Sequence, residues 1–173
     1  MSRIILLTGG RRVGKSTVCL RAVKSARQRG HACGGIVTLA HDGVRDALDV
    51  RSDRRRRLTT TSDTSSPVPQ GRFHFDPETL SWGNDVLAEA VPCELLVVDE
   101  VGPLEVERGE GWVAAFDVLR TGDYVLALLV VRPELIGQVQ DRLSACPLQH
   151  LSVTLENRDR LPVSLVQMLE QEG

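Results

Sequence analysis

An apolar run, Ile4-Ile5-Leu6-Leu7, leads through Thr8 into Gly9-Gly10-Arg11-Arg12-Val13-Gly14-Lys15-Ser16-Thr17, and apolar residues at helical spacing follow. A strand that turns through a glycine-bounded curl straight into a helix commits the chain to a β/α layout more strictly than any other feature here. The curl reads G-x-x-x-x-G-K-[ST], the P-loop or Walker A form. Its glycines let successive backbone N–H groups converge on phosphate oxygens, and the helix N-terminus adds partial positive charge. On this reading residues Gly9 to Thr17 bind a nucleotide. Lys15 brings a full charge to the outer phosphates, and the Ser16 hydroxyl is a ligand for Mg²⁺.

Beyond the loop, strand-like and helix-like segments alternate. Lys15–Arg29 sets Val18, Cys19, Ala22, Val23 and Ala26 on one face, with Gly30 as a stop. Gly35–Thr38 reads as a short strand, Gly83–Ala90 as a helix, and Glu94–Asp99 as a continuous apolar run of the kind buried on both faces of a parallel sheet. Gly111–Arg120 has a helical pattern and Tyr124–Val131 that of another buried strand. Pro133 through Leu143 follows as a helix, Leu151–Leu155 as a strand and Pro162–Glu170 as a helix. The expected fold is α/β, a P-loop parallel-sheet core with helices on both faces, in one domain over residues 1–173.

Composition narrows the class further. With 173 residues, a net charge of -2 and 42% hydrophobic residues, the chain has the profile of a globular domain. Its longest apolar stretch, Val125 to Val131, is far short of the ~20 residues of a membrane span. Met1-Ser2-Arg3 carries no cleavable-leader pattern, and Cys19, Cys33, Cys93 and Cys146 are too dispersed for a metal pair. Reduced thiols suit a cytoplasmic setting.

The rhythm breaks over residues 41–70, which hold Arg54-Arg55-Arg56-Arg57 and the polar run Thr59 to Ser66. Asp42-Gly43 is a hairpin turn, with Val44–Val50 as one arm. The rest reads as a mobile insertion, most simply a solvated one. As a functional element it ranks first as a lid over the nucleotide and second as a nucleic-acid patch, since no aromatic residues interleave its charges.

The second half of the site follows from Leu95-Leu96-Val97-Val98-Asp99-Glu100. Ligands of open α/β sheets lie outside the carboxyl ends of the strands. Asp99 at such a tip faces Ser16 across the nucleotide and holds Mg²⁺, while Glu100 orients or deprotonates the attacking water. Arg132, just past the strand that ends at Val131, is the first candidate for an arginine that neutralises charge in the transition state, with Arg158 second.

Asp99-Glu100-Val101-Gly102-Pro103-Leu104-Glu105 resembles the D-E-[IV]-G-x-[ML]-E motif of the thermophile-type nucleoside-triphosphatases, whose vertebrate relatives are called cancer-related nucleoside-triphosphatase. Leu155 to Pro162 is similar to that family's T-x-E-N-R-D-x-L-P, Gly34–Thr38 to its second strand, and Gly71-Arg72-Phe73 to its G-[RK]-[YF] segment. The resemblance implies a RecA-like core, Mg²⁺ dependence and slow hydrolysis of ATP, GTP and other triphosphates to the diphosphate and phosphate. Asn157 and Arg158 then stand where a base pocket is lined. Arg11 and Arg12 replace the family's usual Pro and Gly, and the family's R-x-G-F pattern is not clear after Val44. No N-K-x-D guanine-reading pattern is present, so loose base selectivity is expected. A kinase with the arginine segment as its lid, a nucleotide-dependent switch or adaptor, and a nucleic-acid-stimulated ATPase stay open as alternatives. No feature names a protein partner.

Overall fold

The computed structural model describes residues 2–60, 68–70 and 73–173. Seven strands form the main sheet in the order β10-β1-β9-β8-β2-β3-β4. They are β1 (Arg3–Thr8), β2 (Cys33–His41), β3 (Val44–Asp49), β4 (Arg55–Arg57), β8 (Leu95–Val101), β9 (Leu126–Val131) and β10 (Leu148–Ser152). The five from β10 to β2 run parallel, and β3 and β4 add on antiparallel. A second, three-stranded sheet joins β5 (Thr59–Thr60), β6 (Val68–Gln70) and β7 (Phe73–Phe75). The helices are α1 (Lys15–Gln28), α2 (Pro77–Ala88), α3 (Ala114–Thr121), α4 (Ile136–Arg142) and α5 (Leu161–Glu172).

The apolar strand runs explain the layering. In β1, Ile4 and Leu6 pack on one face with Trp112, Phe116 and Leu119, whereas Ile5 and Leu7 meet Val18, Val166 and Leu169 of α1 and α5 on the other. A strand covered on both sides has no polar positions to spare, and β9 is accordingly buried at every residue. Gly35 (φ +108°) is required by this sheet: a Cβ there would lie 1.9 Å from the Val97 carbonyl oxygen of neighbouring β8.

The expected α/β architecture is present, with differences at its margins. The helix placed at Gly83–Ala90 begins at Pro77, because the Asp76 side chain caps it by accepting from the Thr79 N–H at 2.9 Å. The helix expected from Gly111 starts at Ala114, since Gly111 is left-handed (φ +74°) and a Cβ there would run into the Glu105 carboxylate. Within the segment 41–70, the described residues 41–60 and 68–70 are largely built into strands. The Asp42-Gly43 turn does join two arms, β2 and β3, and the arginine run continues the same sheet as β4. Arg57 pairs with Asp46 at 2.7 Å and Arg56 lies over the Trp82 ring at 5.2 Å, so these arginines line a sheet edge. Thr61 to Ser66, and Gly71-Arg72 of the G-[RK]-[YF] segment, lie outside the described residues. Among the described residues no helix is long and apolar enough to cross a membrane.

Candidate active site

Strands β1, β8 and β9 are parallel, so Thr8, Val101 and Val131 end on one edge of the sheet. The loop from Gly9 to Gly14 rises from β1 at that edge and α1 starts at Lys15. Gly9 (φ +148°) seats the loop against the chain leaving β10, where a Cβ would fall 2.5 Å from the Val153 carbonyl oxygen. Lys15 folds back over the loop: its Nζ donates to the carbonyl oxygens of Gly9 at 2.9 Å and Gly10 at 2.7 Å. An ammonium has three donors, which leaves one for a phosphate. Burial lowers the Lys15 pKa from its ordinary value, the charges of Asp99 and Glu100 oppose that, and Arg132 adds to it. The loop lysine, the two acids and the arginine after β9 thus share one field.

Arg12 is left-handed (φ +58°), a conformation that costs a residue bearing a Cβ about 1–2 kcal/mol and glycine almost nothing. That is the position where the resembling family carries glycine. Arg12→Gly is therefore expected to raise unfolding stability by up to about 1 kcal/mol, with glycine's greater loss of chain entropy offsetting part of the relief. Denaturant unfolding checks the gain. A stability loss of similar size would show that the Arg12 side chain supports the loop.

Asp99 is fully buried at the tip of β8. Its Oδ2 accepts from the Thr38 N–H at 3.1 Å, while among the described residues Oδ1 and the neighbouring Thr38 hydroxyl have no hydrogen-bond partner. Burial, then the Glu100 charge, pushes the Asp99 carboxyl up to about 7, against the stabilising Ser16 hydroxyl, the Thr38 N–H and Lys15. Buried oxygens without partners are costly unless something ligates them. Carboxylate and hydroxyl oxygens beside Ser16 are the donor set of a hard cation such as Mg²⁺, which needs only one or two carboxylates beside phosphates and water.

A pH dependence follows from the raised carboxyl. The folded state holds the Asp99 proton up to a pH near 7, whereas the unfolded chain releases it near 3.8. As pH climbs through that window the nucleotide- and metal-free protein loses stability, because the folded state binds more protons than the unfolded one. Asp99→Asn is expected to be more stable than the parent at pH 8, by up to about 4 kcal/mol, with the difference shrinking toward pH 4. Unfolding at both pH values in chelator checks this, and a gap independent of pH would contradict it.

Glu100 sits in a bulge where the β8–β9 register shifts between Val98 and Val101, and its backbone is left-handed (φ +63°). The bulge turns its side chain outward, 41% exposed, next to the buried aspartate. Its Oε2 accepts from the guanidinium Nη1 of Arg45. Glu105, buried, accepts the Gly102 N–H at 2.8 Å and the Trp112 N–H at 2.9 Å, and burial raises its pKa. This carboxylate ties the turn after β8 to the chain entering α3.

Arg132 directly follows β9; its carbonyl oxygen accepts from the Leu135 N–H at 2.9 Å, while among the described residues its guanidinium makes no ion pair or hydrogen bond. Arg158 lies against the loop, its Nη1 donating to the Val13 carbonyl oxygen at 3.4 Å. With Gly14, Thr17, Val18, Arg21 and Asp159 it lines a cavity of about 190 Å³ beside the start of α1. Asn157 spends its amide on its own turn, accepting from the Thr154 N–H and donating to the Ser152 carbonyl oxygen, each at 2.8 Å. It shapes the turn that delivers Arg158. A larger cleft of about 350 Å³ between α1 and β3, lined by Leu20, Val23 and Leu48 among others, contains none of these residues.

Two residues beside the acids were not legible as site residues. Thr38 carried no signal beyond its strand. Arg45 carried none either, the R-x-G-F pattern being unclear after Val44.

Comparison with known proteins accords with this geometry. A family model described as NTPase matches residues 4–166. The chain belongs to the NTPase family. It is 32% identical over 165 residues to the nucleoside-triphosphatase THEP1 of Methanosarcina barkeri, covering 91% of this chain and 92% of that one. It is 29% identical to THEP1 of Thermofilum pendens, covering 92% and 91%. Among solved structures, a human cancer-related nucleoside triphosphatase superposes with a TM-score of 0.74 at 20% identity, covering all of both chains. THEP1 from Aquifex aeolicus gives 0.73 at 17%, covering 97% of this chain and 99% of that one. At such identities the two structures establish the shared P-loop fold, and the NTPase family membership carries the enzyme class, nucleoside-triphosphatase.

Proposed function

We propose that this chain is a Mg²⁺-dependent hydrolase that converts nucleoside triphosphates, ATP and GTP among them, to the diphosphate and phosphate with little selection among bases. One observation carries the reading: Lys15 of the loop and the acids at the end of β8 meet at one sheet edge, close enough to act on each other's ionisation.

Phosphoryl transfer through a loose transition state asks for positioning and charge neutralisation rather than covalent catalysis. The backbone N–H groups of Gly10 to Ser16 and the free donor of Lys15 hold the outer phosphates. Ser16 and Asp99 are the residues that would hold Mg²⁺, which would supply neutralisation of phosphate charge. Glu100, exposed at the bulge, takes the proton of a water as its oxygen attacks the terminal phosphorus, and the bond to the bridging oxygen breaks in line. The Arg132 guanidinium, with no partner among the described residues to give up, meets the charge gathering on the departing diphosphate. The cavity beside Gly14 and Thr17 receives the rest of the nucleotide, and its carboxylate, Asp159, is paired with Arg21 at 2.7 Å.

Phosphate release measured across the four ribonucleoside triphosphates, with Mg²⁺ or with chelator, tests this. Turnover of all four within about tenfold, lost in chelator, is the expected outcome. Turnover that needs an added phosphate acceptor would identify a kinase instead, and stimulation by RNA or DNA that collapses with salt would identify a nucleic-acid-dependent ATPase.

A further inference from the structure

We infer that Arg45 is a positioning residue for hydrolysis, acting through Glu100: it anchors one carboxylate oxygen of the base so that the other faces the attacking water. The inference rests on Glu100 as the general base. Glu100 stands on a left-handed bulge at the rim, with a side chain 41% exposed, and nothing in its own strand determines where that side chain points. Its Oε2 accepts from Arg45 Nη1, and among the described residues Oε1 has no hydrogen-bond donor on it and can accept a proton. Arg45 is the less mobile partner. Its side chain is only 18% exposed, and its guanidinium stacks on the Phe73 ring with 4.4 Å to the centroid.

The backbone of Arg45 is also held on both sides. It pairs with Ala40 in the β2–β3 ladder, its N–H donates to the Thr59 hydroxyl at 2.9 Å, and its carbonyl oxygen accepts from the Leu58 N–H at 2.9 Å. An exposed glutamate is thus clamped by a packed arginine. A general base whose orientation is set by a third group is a recurring catalytic arrangement. The guanidinium fork is stiff enough to fix that orientation in a way an ammonium is not.

The test is steady-state hydrolysis by Arg45→Ala, Arg45→Lys, Glu100→Gln and the Arg45→Ala/Glu100→Gln double variant. Loss of an orienting partner is expected to lower kcat of Arg45→Ala about 10–100-fold, with KM within about threefold of the parent. Arg45→Lys recovers part of that loss. The double variant is no slower than Glu100→Gln alone, because an orienting group has nothing left to orient. An unchanged or faster Arg45→Ala, a rise in KM at constant kcat, or additive losses in the double variant would each overturn the inference. Should the alanine variant fail to fold, Arg45→Gln takes its place in the same comparison. A Glu100→Gln protein with the parent's rate is a different failure, since it removes the base and leaves the binding assignments untouched.

Discussion

Lys15→Ala is expected to abolish measurable hydrolysis, with phosphate release falling by roughly 10³-fold or more. Lys15 is the cation folded back over the loop's curl, where a preorganised donor aimed at developing charge is worth about 3–4 kcal/mol and an ion somewhat more. The fold should be indifferent to the change. Among the described residues its ammonium bonds to the Gly9 and Gly10 carbonyl oxygens at the rim and to no core side chain. Circular dichroism and unfolding midpoints should match the parent while triphosphate affinity and turnover collapse together, since this charge meets the phosphates before and during reaction. A variant that retains a tenth of the parent rate would show that the loop amides suffice alone.

Glu100→Gln separates chemistry from binding. The amide keeps the shape of the side chain and an oxygen for Arg45 to hold, but it takes no proton at neutral pH. General-base contributions run to about 10²–10⁴-fold, and the loss is expected wholly in kcat. Nucleotide affinity, read by titration with a fluorescent triphosphate analogue, should stay within about threefold of the parent or tighten slightly, as one negative charge leaves the phosphate site. A variant that loses binding and turnover together would make Glu100 a structural support for the loop.

These residues were legible from sequence for a physical reason. A phosphate cradle made of backbone needs glycines at set spacing, and a buried strand with an acidic tip needs a continuous apolar run before it. Both demands are local, so both show in a linear reading. Arg45 was less visible because its partner is 55 positions away and the two meet only when β3 folds back along β2. Thr38 likewise counts only because β2 lies beside β8, bringing its N–H to Asp99. The start of α2 was misplaced for the opposite reason. Asp76-Pro77 is a local cap signal, but the apolar spacing around Val86 and Leu87 drew the boundary inward. The arginine run misled because a strand at the rim of a sheet needs only its backbone paired, and its side chains are free to be as polar as any loop.

That last feature has a practical consequence for the molecule in concentrated solution. Strand β4 is one edge of the main sheet, and an edge strand is a template on which another copy's strand can dock and begin an ordered aggregate. Arg55, Arg56 and Arg57 are all exposed there, and lining up two such rims would crowd like charges at strand spacing. Such crowding disfavours edge-to-edge pairing of two β4 strands.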